Sequence, residues 1–191
     1  TEPIRVSVKT QDTSKNVEQD IVRVTGGSAK IDVLEKLLKN TEFNKVLIFG
    51  RTKHGVEKLS KTLRDKGFNV ESIHGDKPHN KRQKALGQFK DNQIQVLVAT
   101  DVAARGLDIP NVSHVINYDV PATYEDYVHR IGRTGRAMKL GDSVTFCAPD
   151  DEYHLKKIQK LIGDKIPVAA IPTEVEILPT PFEEEQKMRR Q

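Results

Sequence analysis

Short runs of aliphatic and β-branched residues alternate with stretches of helical periodicity along most of this chain, and that rhythm excludes most folds. Val46-Leu47-Ile48-Phe49 is an uninterrupted apolar strand. Over residues 53–66, Val56, Leu59 and Leu63 then recur at helical spacing, and Gly67 is placed to end the helix. A second unit runs from a strand at Val70–Ile73 into a helix over His79–Lys90. Further strands are expected at Val96–Ala99, 115–118 and 144–148, with an earlier one at 20–24. Apolar strands flanked by helices in this way predict an α/β fold, a mostly parallel central sheet with helices on both faces. Ligands of such sheets bind beyond the carboxyl ends of the strands. Function is therefore sought in the residues that directly follow each strand.

The composition suits one domain with a core, since 36% of the 191 residues are hydrophobic and 30% charged. A net charge of +4 and a pI near 9.1 allow a nucleic-acid partner without requiring one. With 6 Phe, 4 Tyr and no Trp, a surface of aromatic platforms for stacking bases is not expected. The single cysteine, Cys147, sits in the apolar run 143–148 and reads as a buried, protonated structural thiol. No segment approaches the roughly 18 apolar residues of a membrane span, and the first residues carry no apolar signal core. A cytoplasmic protein is the expectation. Residues 1–17 read as a linker, residues 18–170 as the folded domain, and residues 171–191 as a mobile tail rich in Pro and Glu. The isolated chain is expected to be monomeric.

Four stretches after strands concentrate chemistry. After Phe49, Gly50-Arg51-Thr52-Lys53 opens a helix, where free N–H groups and the helix dipole favour phosphate. Thr52 serves equally well as a plain N-cap. After Ile73, His74-Gly75-Asp76 leads into Lys77, Lys81, Arg82, Lys84 and Lys90 with no acid between 77 and 90. Such a row can track a phosphate backbone, or it can be a solvated face. After Ala99, Thr100-Asp101-Val102-Ala103-Ala104-Arg105-Gly106-Leu107-Asp108 supplies a hydroxyl, carboxylates able to bind hydroxyls or arginines, and small residues that let a ligand approach the backbone. Last, Thr123 and Asp126 form a capping pair for a helix that Gly132 would end. Arg130, Arg133 and Arg136 then cluster at its end, where they would repel one another without an anion or an acidic partner. Guanidinium forks bind phosphate oxygens bidentately.

Together these stretches resemble the C-terminal motif set of DEAD-box RNA helicases in superfamily 2. Residues 46–53 resemble motif IV and His74-Gly75-Asp76 through Arg82 resembles motif IVa. Residues 99–110 are similar to motif V, and His129-Arg130-Ile131-Gly132-Arg133-Thr134-Gly135-Arg136 matches motif VI without a gap. The resemblance spans roughly residues 18–170, and residues 155–172 are most similar to the bacterial RhlE-type members. It implies a RecA-like three-layer sandwich acting with ATP and Mg²⁺ that are held mainly by an N-terminal RecA-like domain of the same protein. It also implies an RNA partner bound without sequence preference. Carried over position by position, it implies that Arg133 and Arg136 are arginine fingers reaching across a cleft to ATP. Asp108 would contact the ribose, His129 and Arg130 would couple the two domains, and Arg105 would serve the cleft. Thr52, Gly75, Arg82 and Thr100 would hold the RNA sugar-phosphate backbone, contacts that position a strand without reading bases. The chain departs from the family at Pro78-His79, where Ser-Gln is frequent, and at Gly50. Pro78 suits the first turn of a helix, and the change puts one side-chain contact to RNA in doubt.

No Gly-x-x-x-x-Gly-Lys-Ser/Thr loop occurs, and Gly26-Gly27-Ser28-Ala29-Lys30 lacks its spacing. There is no Asp-Glu-Ala-Asp either, and Asp150-Asp151-Glu152 reads as the acidic start of a helix. The chain is expected to complete an ATP site rather than contain one, to hold no metal of its own and to be inactive alone. The residues by themselves leave open an ATP-independent RNA-binding module, a domain of a DNA-directed superfamily 2 helicase, and an interaction domain.

Overall fold

The computed structural model describes residues 6–7, 17–25, 27–109, 112–131 and 141–162. Its strands are β1 (Val6–Ser7), β2 (Val17–Arg23), β3 (Val46–Phe49), β4 (Val70–Ile73), β5 (Val96–Ala99), β6 (His114–Asn117) and β7 (Gly141–Cys147). The helices are α1 (Gly27–Lys39), α2 (Lys53–Asp65), α3 (His79–Lys90), α4 (Asp101–Ala104), α5 (Tyr124–Ile131) and α6 (Glu152–Ile162). A 3₁₀ turn at Pro149–Asp151 leads into α6. The strands form one sheet in the order β1-β2-β7-β6-β3-β5-β4. All pairings from β2 to β4 are parallel, and only β1 runs antiparallel, with Val6 opposite Gln19. The mostly parallel sheet is the one expected.

Alternation along the strands sets the layers. Val46 and Ile48 pack on one face with Leu34 and Leu37 of α1 and with Val56, Leu59 and Leu63 of α2. Leu47 and Phe49 point the other way, toward Leu86 and Phe89 of α3. Ile21 and Cys147 join Tyr127 and Ile131 of α5 and Leu155 and Ile158 of α6. Strands buried on both faces lack the polar alternation of a half-exposed sheet, hence the unbroken apolar runs in the sequence. The open edge at β4 is guarded by cations. Lys77 Nζ donates to the Ser72 carbonyl at 3.1 Å and an Arg64 guanidinium nitrogen to that of Val70 at 3.5 Å.

Three features differ from the periodic pattern. Helix α1, which begins at Gly27, is not among the expected helices, although Val33, Leu34, Leu37 and Leu38 are buried at helical spacing. Strand β6 starts at His114, a polar residue whose ring stacks on Phe43 with centroids 3.7 Å apart. Strand β2 begins at Val17, and Val6–Ser7 pair with it inside the stretch expected to be a linker.

Candidate functional site

Because β3, β5 and β4 are neighbours, their carboxyl ends lie in one row. The Gly50 amide donates to the Ala99 carbonyl at 3.0 Å and the Thr100 amide to that of Ile73 at 3.3 Å. Thr52, Thr100 and Gly75 therefore share one edge of the sheet. Thr52 caps α2 and its Oγ1 accepts from the Gly55 amide at 3.0 Å. Thr100 caps α4 and accepts from the Ala103 amide at 3.3 Å. Capping uses each hydroxyl as an acceptor and leaves its proton to donate, so the capping role does not preclude a ligand. Thr52 is exposed, whereas Thr100 is nearly covered, at 6%. Arg82, half-buried on α3, has a buried Nε with no hydrogen-bond partner.

The glycines of this edge differ in what they do. A Cβ on Gly50 would lie 2.8 Å from Val56 Cγ2, and one on Gly55 2.9 Å from Thr52 Oγ1, so both are required for packing. Gly106 has φ +76° and needs glycine for its backbone. Exposed Gly75 has no positive φ, and its Cβ would meet only Lys53 Cδ at an ordinary 3.6 Å. Nothing in the described residues demands glycine there.

The turn at Gly75 is braced from α2. Buried His74 places Nε2 2.8 Å from Glu57 Oε2, which also accepts from Ser72 Oγ at 2.9 Å. The Asp76 amide donates to His74 Nδ1 at 3.3 Å. The hydrogen bond from His74, reinforced by Ser72 and the Lys77 charge, holds the Glu57 carboxyl below its ordinary range despite partial burial. Lys53 pairs with Asp76 across the turn at 3.0 Å.

Toward β6 the groups after β5 and β6 meet the end of α5. Arg130, 1% exposed, donates from Nε and one terminal nitrogen to the two carboxylate oxygens of Asp101, each at 2.7 Å. Its other terminal nitrogen reaches the Asp119 carbonyl at 2.8 Å and Asn117 Oδ1 at 3.3 Å, and the guanidinium lies 5.1 Å from the Phe49 ring centre. Arg130, which the resemblance assigns to coupling two domains, is turned inward in this domain, and its side chain ties α5 to the ends of β5 and β6. A small pocket beside it is lined by Phe49, Asp101, Ala104, Arg105, Asp126, His129 and Arg130. At its mouth exposed Arg105 pairs with Asp126 at 2.6 Å, while the Asp126 amide completes the expected cap on Thr123 Oγ1 at 3.1 Å. His129 is exposed, and so is Asp108, with Lys90 3.7 Å away. Arg133 and Arg136 lie outside the described residues.

A second bracket supports the turn after β3. Asp119 Oδ2 accepts from the Arg51 amide at 2.9 Å, and Oδ1 from Lys30 Nζ at 3.1 Å. Burial alone would raise this carboxyl, but the Lys30 charge, the Arg51 amide and the Lys30 hydrogen bond together hold it low. Motif residues were visible in the sequence, but Glu57, Asp119 and Lys30 were not. Each is an ordinary charge, on a helix or in a bend, until the fold supplies its partner.

The model of the helicase conserved C-terminal domain matches residues 29–138, more than half the chain. The chain is 45% identical over 161 residues to the ATP-dependent RNA helicase CshA of Limosilactobacillus reuteri, covering 84% of this chain and 32% of that protein. It is 45% identical over 174 residues to the DEAD-box ATP-dependent RNA helicase CshA of Bacillus subtilis (strain 168), covering 91% of this chain and 35% of that protein. It thus spans about a third of the length of these curated relatives. Among solved structures it is similar to the E. coli DEAD-box protein SrmB, at 36% identity and a TM-score of 0.78 over 85% of this chain and 96% of that one. Sequence order, the layered parallel sheet and the turns that follow its strands agree with these likenesses, and the chain belongs to the DEAD-box RNA helicases of superfamily 2, as a C-terminal domain with the RecA-like fold.

Proposed function

We propose that this chain is one half of an ATP-driven RNA motor, which completes a nucleotide site formed mainly by an N-terminal RecA-like domain and grips the RNA sugar-phosphate backbone. The observation that carries the reading is the row of turns at the ends of β3, β5 and β4, with hydroxyl protons at Thr52 and Thr100 and an open backbone at Gly75. Hydroxyls, an unencumbered backbone and the guanidinium of half-buried Arg82 suit phosphate and ribose oxygens and read no base edge. Arg105, which lines the pocket and would exchange its pairing with Asp126, is proposed for the nucleotide phosphates, and exposed Asp108 for the ribose hydroxyls. Arg133 and Arg136 are proposed as the arginine fingers, and His129 as a contact to the other domain. Mg²⁺ is assigned to that other domain, which also positions the attacking water. Closure of the two domains on RNA and ATP would bend the strand and displace its complement, and product release would reopen the cleft. The assembly is proposed to act in the cytoplasm. Among the described residues no helix is long and apolar enough to cross a membrane.

The test is ATP hydrolysis, with and without single-stranded RNA, by this chain alone and after addition of the separately prepared N-terminal domain. RNA-dependent turnover only on mixing is the expected result, and robust turnover by the chain alone overturns it. In the mixed system Arg133→Ala should lower turnover by roughly 10³-fold or more, the scale of a lost arginine finger. Wild-type turnover in that variant removes the assignment.

A further inference from the structure

Glu57 puts a negative charge next to the turns assigned to a phosphate backbone, where it opposes binding on Coulomb grounds. We propose that Glu57 and His74 form a positioning clamp that holds the Gly75 turn in the shape RNA requires, an inference that rests on the RNA reading above. The imidazole is held at both nitrogens, by Glu57 Oε2 at 2.8 Å and by the Asp76 amide at 3.3 Å. An N–H directed at Nδ1 needs a lone pair there, so the ring proton sits on Nε2 and is donated to the carboxylate. The same carboxylate oxygen takes the Ser72 hydroxyl at 2.9 Å, which fastens it to β4. The Lys77 amide closes the turn on the His74 carbonyl at 3.1 Å.

The clamp joins two elements that each carry one assigned RNA contact. Glu57 belongs to α2, which Thr52 caps, and His74 directly follows β4 and precedes Gly75. Their bond fixes how far Thr52 stands from Gly75. Gly75 has no side chain to restrict its own backbone and is not locked by a positive φ, so its geometry depends on these neighbours. Glu57 and His74 are positioning residues; neither touches the strand.

The test titrates the ¹⁵N-labelled 191-residue chain with decauridylate and follows the amide signals of Thr52, Gly75 and Thr100. Electrostatics alone predicts tighter binding when Glu57 is neutralised. The clamp predicts the opposite sign for Glu57→Ala and for His74→Asn, a loss of about tenfold, the scale of one orienting hydrogen bond. Glu57→Gln should stay within about twofold of wild type, because its amide oxygen accepts the same two hydrogen bonds. Wild-type or tighter binding by Glu57→Ala, with Gly75 still shifting, overturns the clamp and leaves the RNA reading intact. Should Glu57→Ala not fold, equal affinities for Glu57→Gln and His74→Asn overturn it. If decauridylate moves none of the three amides in the wild-type chain, the RNA reading fails and takes the clamp with it.

Discussion

Gly75 and Arg130 belong to similarly prominent motifs, yet the structure uses them in opposite ways. Gly75 satisfies neither condition that makes a glycine necessary, and a methyl group fits beside Lys53. Gly75→Ala should therefore keep full stability in urea, or gain up to about 1 kcal/mol from a less flexible unfolded chain, while losing affinity for single-stranded RNA. Undiminished affinity would mean that no strand passes over this turn. Arg130 is buried and spends four of its five donors inside the domain. Arg130→Met leaves the Asp101 carboxylate without its partner and should cost about 3 kcal/mol in urea unfolding, as for other broken buried pairs. A cost near zero would refute that structural role. Motif VI was legible in the sequence, but the inward course of Arg130 was not. That course depends on Asp101 and Asn117, brought to it by strands β5 and β6.

At the scale of elements, α2 and α3 were visible because their apolar residues repeat at helical spacing between clear stops. Helix α4 was not, since four residues carry no period, and the small residues of Asp101–Ala104 read as a turn built for ligands. Cap chemistry decides the start of α2, and Thr52→Ala should destabilise the domain by about 1 kcal/mol, with Thr52→Ser retaining the bond to Gly55. Inside α3, Gly87 has no positive φ and a Cβ there would meet nothing within 4 Å. Gly87→Ala should raise stability by about 0.5–1 kcal/mol, read as a higher urea midpoint at unchanged slope. A lower midpoint would reveal a packing role the structure does not contain.

For the whole molecule, the braces that shape the site also set its response to pH. Glu57 and Asp119 both have carboxyls held below their ordinary values in the fold. Their stabilisation is complete above the unfolded values, about 3.9 for Asp and 4.3 for Glu. It is lost as pH falls through the lower folded values, so the urea midpoint should drop below about pH 4. Asp119→Asn should flatten part of that fall. Burial pushes the Cys147 thiol up to about 12, so the native chain should resist a thiol reagent at mild alkaline pH. One equivalent should react once the chain is unfolded, and rapid labelling of the native form would place Cys147 at the surface.

Taken alone, the sequence determined the kinds and order of most elements and membership of a helicase family, and it pointed to the carboxyl ends of the strands as the place to seek function. Periodicity, caps and contiguous motifs are local properties, written within a dozen residues and read without a fold. The tertiary structure alone decided which charges face one another. It set β3 between β6 and β5, aligned Thr52, Thr100 and Gly75, turned Arg130 inward and paired Arg105 with Asp126. It also drew Glu57 to His74 and Lys30 to Asp119. Such pairs join residues well separated along the chain, and no local pattern specifies them. They exist because a parallel sheet places the ends of non-consecutive strands side by side, where each polar group must find a partner or lose its water at a cost.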